Sequence, residues 1–133
     1  MYLIWSLKVR TIIIILSFSF LLLPNQVFSE DFDNGKKVYR KCKACHTIAL
    51  GAKHRVGPNL YKVINRKAGK AEGYRYSKAM KKSDVVWNEE NLSQYLVNPR
   101  KFIKGTKMAF AGLKKDIDII NVIFYIKEMS KKN

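Results

Sequence analysis

The chain is short and strongly basic: its 133 residues include 26 Lys and Arg against 10 Asp and Glu, a formal net charge of +16. This length fits one small domain. The charge favours an anionic partner, whether nucleic acid, anionic lipid or an acidic protein surface. Because the basic residues form neither a long run nor a recognition-helix pattern, we expect no nucleic-acid partner.

The first 29 residues have the anatomy of a secretory signal peptide. Lys8 and Arg10 precede an apolar run at residues 12–23, Pro24 ends that run, and residues 27–29 offer a cleavage point. The run is short for a membrane-spanning helix, which needs roughly 20 residues. We therefore predict cleavage after Ser29, export to the periplasm, and a mature domain at residues 30–133. The alternative is an uncleaved segment that anchors the protein in the membrane.

A first helix is predicted to begin at Asp31 or Asp33, both good N-cap residues, and to run up to the first cysteine. Gly35 and Tyr39 lie four residues apart and therefore share one face. A glycine inside a helix costs roughly 1 kcal/mol against alanine. Gly35 thus indicates that another helix approaches closely at this point.

Residues 42–46 read Cys-Lys-Ala-Cys-His, the attachment signature of a c-type haem. Each thiol can add to one vinyl group on the same porphyrin edge, and the following His46 can then ligate the iron. The alternatives fit less well. A thioredoxin-type pair needs a preceding strand, zinc would need His54 to complete its site, and a disulfide between Cys42 and Cys45 would be strained.

The rest of the chain predicts helices separated by long loops. Residues 47–73 read as a loop, and residues 74–82 as one or two helical turns with Ser77 as a possible cap. Asn88 begins a helix that Pro99 stops. Residues 100–113 are irregular, and Asp116 is predicted to cap a last helix that ends near Ser130. With no convincing strand, the domain is predicted to be all-α.

Four segments in this order make the mature chain resemble a class I cytochrome c. They are the haem motif, residues 57–60 (GPNL), residues 65–69 (NRKAG), and Asn98-Pro99 followed by residues 105–112 (GTKMAFAG). The resemblance implies the small cytochrome c fold, with three main helices, one short helix and long loops wrapped around one covalent haem. Met80, Lys104 and Glu72 depart from the usual residues of the family.

The resemblance also implies the site residues. His46 and Met108 would be the axial iron ligands, and Met108 is preferred over Met80 and Met129 because it lies between Gly105 and Gly112. The Pro58 carbonyl would accept a hydrogen bond from the N–H of the His46 ring. Three further residues are implied to bind the haem propionates: Arg66, Tyr76 and Trp87. Two more, Tyr95 and Thr106, are implied to line the methionine side of the haem.

The implied function is one-electron transport, with no substrate bond made or broken, so we do not expect an enzyme. Electrons would pass from a cytochrome bc-type complex to a terminal oxidase or reductase, and the protein is expected to be a monomer that meets membranes only through these partners. A haem peroxidase or sensor is the alternative class. The basic residues expected to surround the exposed haem edge and attract acidic docking faces are Lys41, Lys43, Arg100, Lys101, Lys107, Lys114 and Lys115.

Overall fold

A computed structural model describes residues 29–132 and places five α-helices in them. These are α1 (Phe32–Lys43), α2 (Lys78–Lys82), α3 (Glu89–Val97), α4 (Pro99–Phe102) and α5 (Asp116–Met129). The predicted signal peptide falls on residues outside this range, apart from its last residue. No helix within residues 29–132 has the length and apolar character needed to cross a membrane.

Helix α1 begins at the first of its two predicted caps. Asp31 is the N-cap, and its carboxylate accepts from the backbone N–H of Asn34 at 2.9 Å and from the Asn34 side chain at 2.7 Å. Asp33 lies in the first turn, where its charge favours the helix dipole. The backbone N–H of Asp31 donates to the side-chain oxygen of Asn121 at 2.9 Å, which ties the start of α1 to α5.

The close helix crossing predicted from Gly35 is present. A Cβ atom at Gly35 would lie 2.7 Å from the Cβ of Tyr125 and would also meet the Asn121 carbonyl oxygen. The Tyr125 ring packs against Tyr39, with ring centroids 5.1 Å apart. Val122 is completely buried beside them. Helices α1 and α5 therefore cross at close range.

Helices α3 and α4 follow each other with one residue between them. Asn88 caps α3, as predicted, through a 2.7 Å bond from the Asn91 N–H. Asn98 is extended and caps α4 by accepting from the Lys101 N–H at 3.1 Å. The predicted irregular stretch therefore has a helical turn at its start, because the fixed φ of Pro99 at the first helical position favours one.

Helix α5 begins differently from the prediction. Asp116 is its first helical residue, so its assignment as the cap is wrong; Lys115 is the N-cap and makes no side-chain capping bond. Lys115 is extended (φ −108°, ψ 127°), so the chain turns into the helix one residue earlier than predicted. A 2.6 Å ion pair between Lys127 and Glu89 joins α5 to α3.

The long loops are tied to each other by backbone bonds. Within residues 29–132 the only β-type pairing is an isolated antiparallel bridge between Lys67 and Val86. Around it, the Ala68 N–H donates to the Val85 carbonyl at 2.8 Å and the Trp87 N–H to the Arg66 carbonyl at 3.0 Å. Ser77 caps the short helix α2, as predicted. The described part is therefore all-α, and its loops are held in fixed positions.

Candidate haem site

The two cysteines lie where α1 ends. Cys42 is in the last turn, and its carbonyl accepts from the N–H of Cys45 at 3.0 Å and of His46 at 2.9 Å. This turn brings the two thiols and the imidazole to one end of α1. Both thiols are free and partly buried. Burial raises the pKa of the Cys42 thiol from 9.0 to about 11, which further favours its protonated form.

The imidazole of His46 is fixed by the loop that follows it. Its Nδ1 lies 2.7 Å from the Pro58 carbonyl oxygen. A carbonyl only accepts, so Nδ1 carries the proton and Nε2 keeps a lone pair. Burial lowers the pKa of His46, and the bond to Pro58 opposes this shift in part. The ring is therefore neutral, and Nε2 is the nitrogen that remains available to bind a metal.

Gly57 leaves room for this ring. A Cβ atom at Gly57 would lie 2.7 Å from both Nδ1 and Nε2 of His46, so only glycine permits the ring to lie against the backbone here. The Gly57 N–H donates to the Cys45 carbonyl at 2.8 Å, which ties the loop back to the haem motif. The candidate donors fit a c-type haem. They are two free thiols, the thioether of Met108 and the neutral imidazole of His46.

Met108 lies in the loop between α4 and α5. It is partly buried against the hydrophobic core, and its N–H donates to the Thr106 hydroxyl at 3.3 Å. The Thr106 and Tyr95 hydroxyls are 3.1 Å apart. Gly105 and Gly112, with φ of +87° and +90°, let the backbone reverse direction on either side.

The other methionines have different surroundings. Met80 is buried in α2, where its backbone N–H is capped by Ser77. Met129 is partly buried in the last turn of α5. Both positions are on helices, whereas Met108 is on a loop whose backbone is shaped by glycines. This difference supports Met108 as the candidate ligand.

The implied propionate residues lie close together. The Arg66 guanidinium donates to the carbonyls of Asn59 at 3.1 Å and Tyr61 at 3.3 Å. Burial raises the pKa of Tyr76, and the positive charge of Arg66 lowers it in part. Trp87 is buried and packs on Tyr95, with ring centroids 4.8 Å apart. A half-buried guanidinium beside a phenol is a suitable partner for a carboxylate.

The structure places five of the predicted residues in or against one hydrophobic core. Trp87 and Tyr95 belong to the hydrophobic core, and Cys42, Tyr76 and Met108 pack against it. Two pairs of predicted residues are in direct contact, Thr106 with Tyr95 and Pro58 with His46. Arg66 is near enough to Tyr76 for its charge to act on the phenol. The basic residues predicted for the docking rim are all exposed.

His54 has a structural role that sequence reasoning missed. Its Nδ1 accepts from the Asn59 N–H at 2.9 Å, and its Nε2 lies 2.7 Å from the Glu72 carbonyl oxygen. The Tyr74 hydroxyl donates to the Val56 carbonyl at 2.5 Å beside it. His54 thus joins the loop that contains Pro58 to a loop 18 residues away. A lone histidine in an aperiodic loop gave no signal of this.

Comparisons with known proteins agree on one family. The family model described as Cytochrome c matches residues 32–130. A cytochrome c of Theileria parva is 49% identical over 111 residues, covering 82% of this chain and 96% of that protein. A cytochrome c2 of Afifella marina is 51% identical over 96 residues, covering 70% and 77%. The solved structure of cytochrome cH from Methylobacterium extorquens matches with a TM-score of 0.70 at 40% identity, covering 74% of this chain and 98% of that one.

Proposed function

The chain belongs to the cytochrome c family, whose members carry electrons on one covalent haem c, and from this premise we propose its place in a respiratory chain. It takes single electrons from a cytochrome bc-type complex and passes them to a terminal oxidase or reductase. The observation that supports a haem-based electron carrier is the His46 ring, whose Nδ1 is held 2.7 Å from the Pro58 carbonyl while Nε2 keeps its lone pair.

Cys42 and Cys45 hold the cofactor. Each S–H would add across one vinyl double bond of the haem, with sulfur on one carbon and hydrogen on the other, so the linkage would need no leaving group. When bound, the haem supplies an iron that cycles between the ferric and ferrous states. Covalent attachment keeps the cofactor on a protein that moves between partners.

His46 and Met108 would be the two protein ligands of the iron. A thioether is a soft, neutral donor that favours the ferrous state, and His/Met ligation raises the reduction potential. With His46 and Met108 as its ligands, the iron would offer peroxide no open position. The chain therefore transfers electrons and does not act as a peroxidase.

The remaining residues position the cofactor. Pro58 fixes the orientation of His46. Arg66, Tyr76 and Trp87 bind the propionates, since the guanidinium offers charge and the aromatic groups offer ring N–H or O–H donors. Tyr95 and Thr106 hold the methionine side, where Thr106 also accepts from the Met108 N–H.

We place the mature protein, residues 30–133, in the periplasm as a monomer. Residues 1–29 act as the signal peptide, on the grounds of the basic start and apolar run described above. The N-terminal sequence of the purified protein tests this: a start at Glu30 is expected, and retention of residues 1–29 would make the protein a membrane-anchored carrier.

Three measurements on the purified protein test the function. Acidified organic solvent should leave the haem colour with the protein, and freely extracted haem would disprove covalent attachment. A redox titration should follow a one-electron curve. The ferric protein should bind cyanide slowly and turn over no peroxide, because both axial positions are occupied. Rapid peroxide turnover would instead assign a haem enzyme.

A further inference from the structure

A groove of about 680 Å³ lies between α1, the loop that follows the haem motif, and α5. Its lining contains neither cysteine of the haem motif nor Met108, and His46 is the only predicted haem residue in it. The groove therefore shares only His46 with the candidate haem site. Its volume falls in the range of roughly 300–1,000 Å³ that is typical of sites for small molecules.

The charged side chains that line this groove are almost all positive. Asp33 is the single carboxylate, and the cations are Lys36, Lys37, Arg40, Lys43 and Arg55. Among residues 29–132, none of these five cations lies within 4.0 Å of a carboxylate oxygen. A concave surface with charge of one sign and apolar walls concentrates its electric field and attracts counter-ions.

Two of the cations are held in place by backbone carbonyls. The Arg55 guanidinium donates to the Lys43 carbonyl at 2.9 Å, and the Arg40 side chain donates to the Lys37 carbonyl at 3.4 Å. These bonds keep two guanidinium groups beside the groove without neutralising their charge. An incoming anion therefore meets donors that are already partly ordered, which reduces the entropy cost of binding.

Aromatic and aliphatic side chains complete the lining. Tyr39, Ile48 and Tyr125 are buried and line the groove, with the two tyrosine rings 5.1 Å apart. Ala49 and Ala52 add small apolar surface to the lining. A purely ionic ligand such as phosphate would leave this apolar surface unused.

We propose that the groove binds a small amphipathic anion, with a carboxylate or phosphate head group among the cations and an apolar body against Tyr39, Ile48 and Tyr125. The occupant is a free molecule and not a lipid within a bilayer, because the cations and the apolar residues face a concavity, which a flat membrane surface does not fill. Ile48 and Ala49 follow His46 closely in the chain, so the bound anion lies next to the segment that carries the proximal imidazole.

Octanoate and octyl phosphate are suitable probes, because each has one anionic head and one apolar tail. Titrated into the ferrous haem protein, each should give saturable ¹H–¹⁵N chemical-shift changes confined to residues around the groove, Ile48, Ala49 and Ala52 among them. Acetate, which lacks the tail, and 1-octanol, which lacks the charge, should each bind at least about tenfold more weakly.

Two variants separate the groove from the general surface charge. Lys36→Glu with Arg40→Glu should raise the Kd for octanoate about tenfold or more, because the head group loses two nearby cations. The matched control, Lys78→Glu with Lys81→Glu on α2, makes the same change of net charge on another helix and should leave the Kd within about twofold. Ala52→Trp should abolish binding while every charge is retained, because the indole fills the groove.

Three results would overturn the proposal. They are equal weakening by the α2 control, shift changes spread over the whole surface, or binding to phosphatidylglycerol vesicles with none to monomeric octanoate or octyl phosphate. The visible spectrum of each variant should match that of the unaltered protein, which shows that its haem site is intact. The test does not depend on electron transfer, so it stands apart from the function proposed above.

Discussion

The Nδ1 of His46 lies 2.7 Å from the carbonyl oxygen of Pro58, although the two residues are 12 positions apart in the chain. Two further features hold this relationship in place. Gly57 binds the Cys45 carbonyl through its N–H, and it has no side chain to displace the imidazole. The loop after the haem motif therefore sets the orientation of the proximal ring before any partner protein is involved.

Loss of the Met108 side chain should convert the carrier into a protein with an open iron position. We expect Met108→Ala to remove the weak red absorbance band of the ferric protein, lower the reduction potential, and allow fast cyanide binding. Met80→Ala and Met129→Ala are the controls, because both residues lie on helices and should leave the band unchanged. Loss of the band in Met80→Ala would assign the ligand to α2.

A side chain at Gly35 should destabilise the fold, because its Cβ would lie 2.7 Å from the Cβ of Tyr125. Gly35→Val should lower the free energy of unfolding in urea by about 1–3 kcal/mol, the usual cost of overpacking. Lys36→Ala, on the exposed side of the same helix, should change it by less than about 0.5 kcal/mol. Equal stability of the Gly35→Val protein would contradict the close crossing of α1 and α5.

Stability should fall at high pH as Tyr39 ionises. Burial is the main reason why the pKa of Tyr39 rises from 10.0 to about 12. A folded-state pKa above the unfolded one means that the unfolded chain loses this proton first, so the contribution is complete below pH 10 and is lost between pH 10 and about 12.

Urea unfolding of the ferrous protein at several pH values measures this effect. The free energy of unfolding of the Tyr39→Phe protein should decline less steeply above pH 10, because phenylalanine cannot ionise. At pH 7 it should lose less than about 1 kcal/mol, since the Tyr39 hydroxyl contacts the His46 carbonyl at a long 3.5 Å. An unchanged decline in Tyr39→Phe would show that another group controls the alkaline loss.

The docking rim should make electron transfer depend on salt. Its basic residues are exposed and come from the haem motif, the chain around α4 and the stretch before α5. Steering by such a field raises association rates by about 10 to 10³-fold, and it weakens as the Debye length falls to about 8 Å at physiological ionic strength. The second-order rate with membranes that contain the terminal oxidase should therefore fall as salt is added.

Charge reversal locates the rim. Lys41→Glu or Lys107→Glu should slow the reaction more than Lys62→Glu or Lys132→Glu, which make the same change away from the expected haem edge. The effect should appear in the association rate, because charges at the edge of an interface act mainly on encounter. Equal effects of all four substitutions, or a rate that does not respond to salt, would falsify the docking rim.

The sequence was most informative where a residue type at a given position has few structural explanations. Gly35 within a helix requires a close neighbour, and the structure places Tyr125 there. The spacing of Cys42, Cys45 and His46 is likewise specific enough to name a cofactor. Both inferences depend on local spacing and on the steric limits of one residue type.

Long-range backbone contacts were not predictable in the same way. His54 binds a carbonyl 18 residues away, and no periodicity or composition marks that pairing. The predicted cap of α5 was wrong by one residue, because the choice between Lys115 and Asp116 depends on where the chain turns into the helix. The groove was missed because it joins α1 and α5 to a loop without any sequence pattern. Such features depend on how distant segments meet.

The bond from the Asp31 N–H to the Asn121 side chain spans 90 positions, almost the full length of the domain. A chain that emerges from its amino end cannot complete this contact until nearly all of it has been synthesised. During that interval Cys42 and Cys45 remain in an open chain, whereas folding later buries them in part. The topology therefore leaves both thiols accessible in the growing chain, and the two ends of the domain can meet only afterwards.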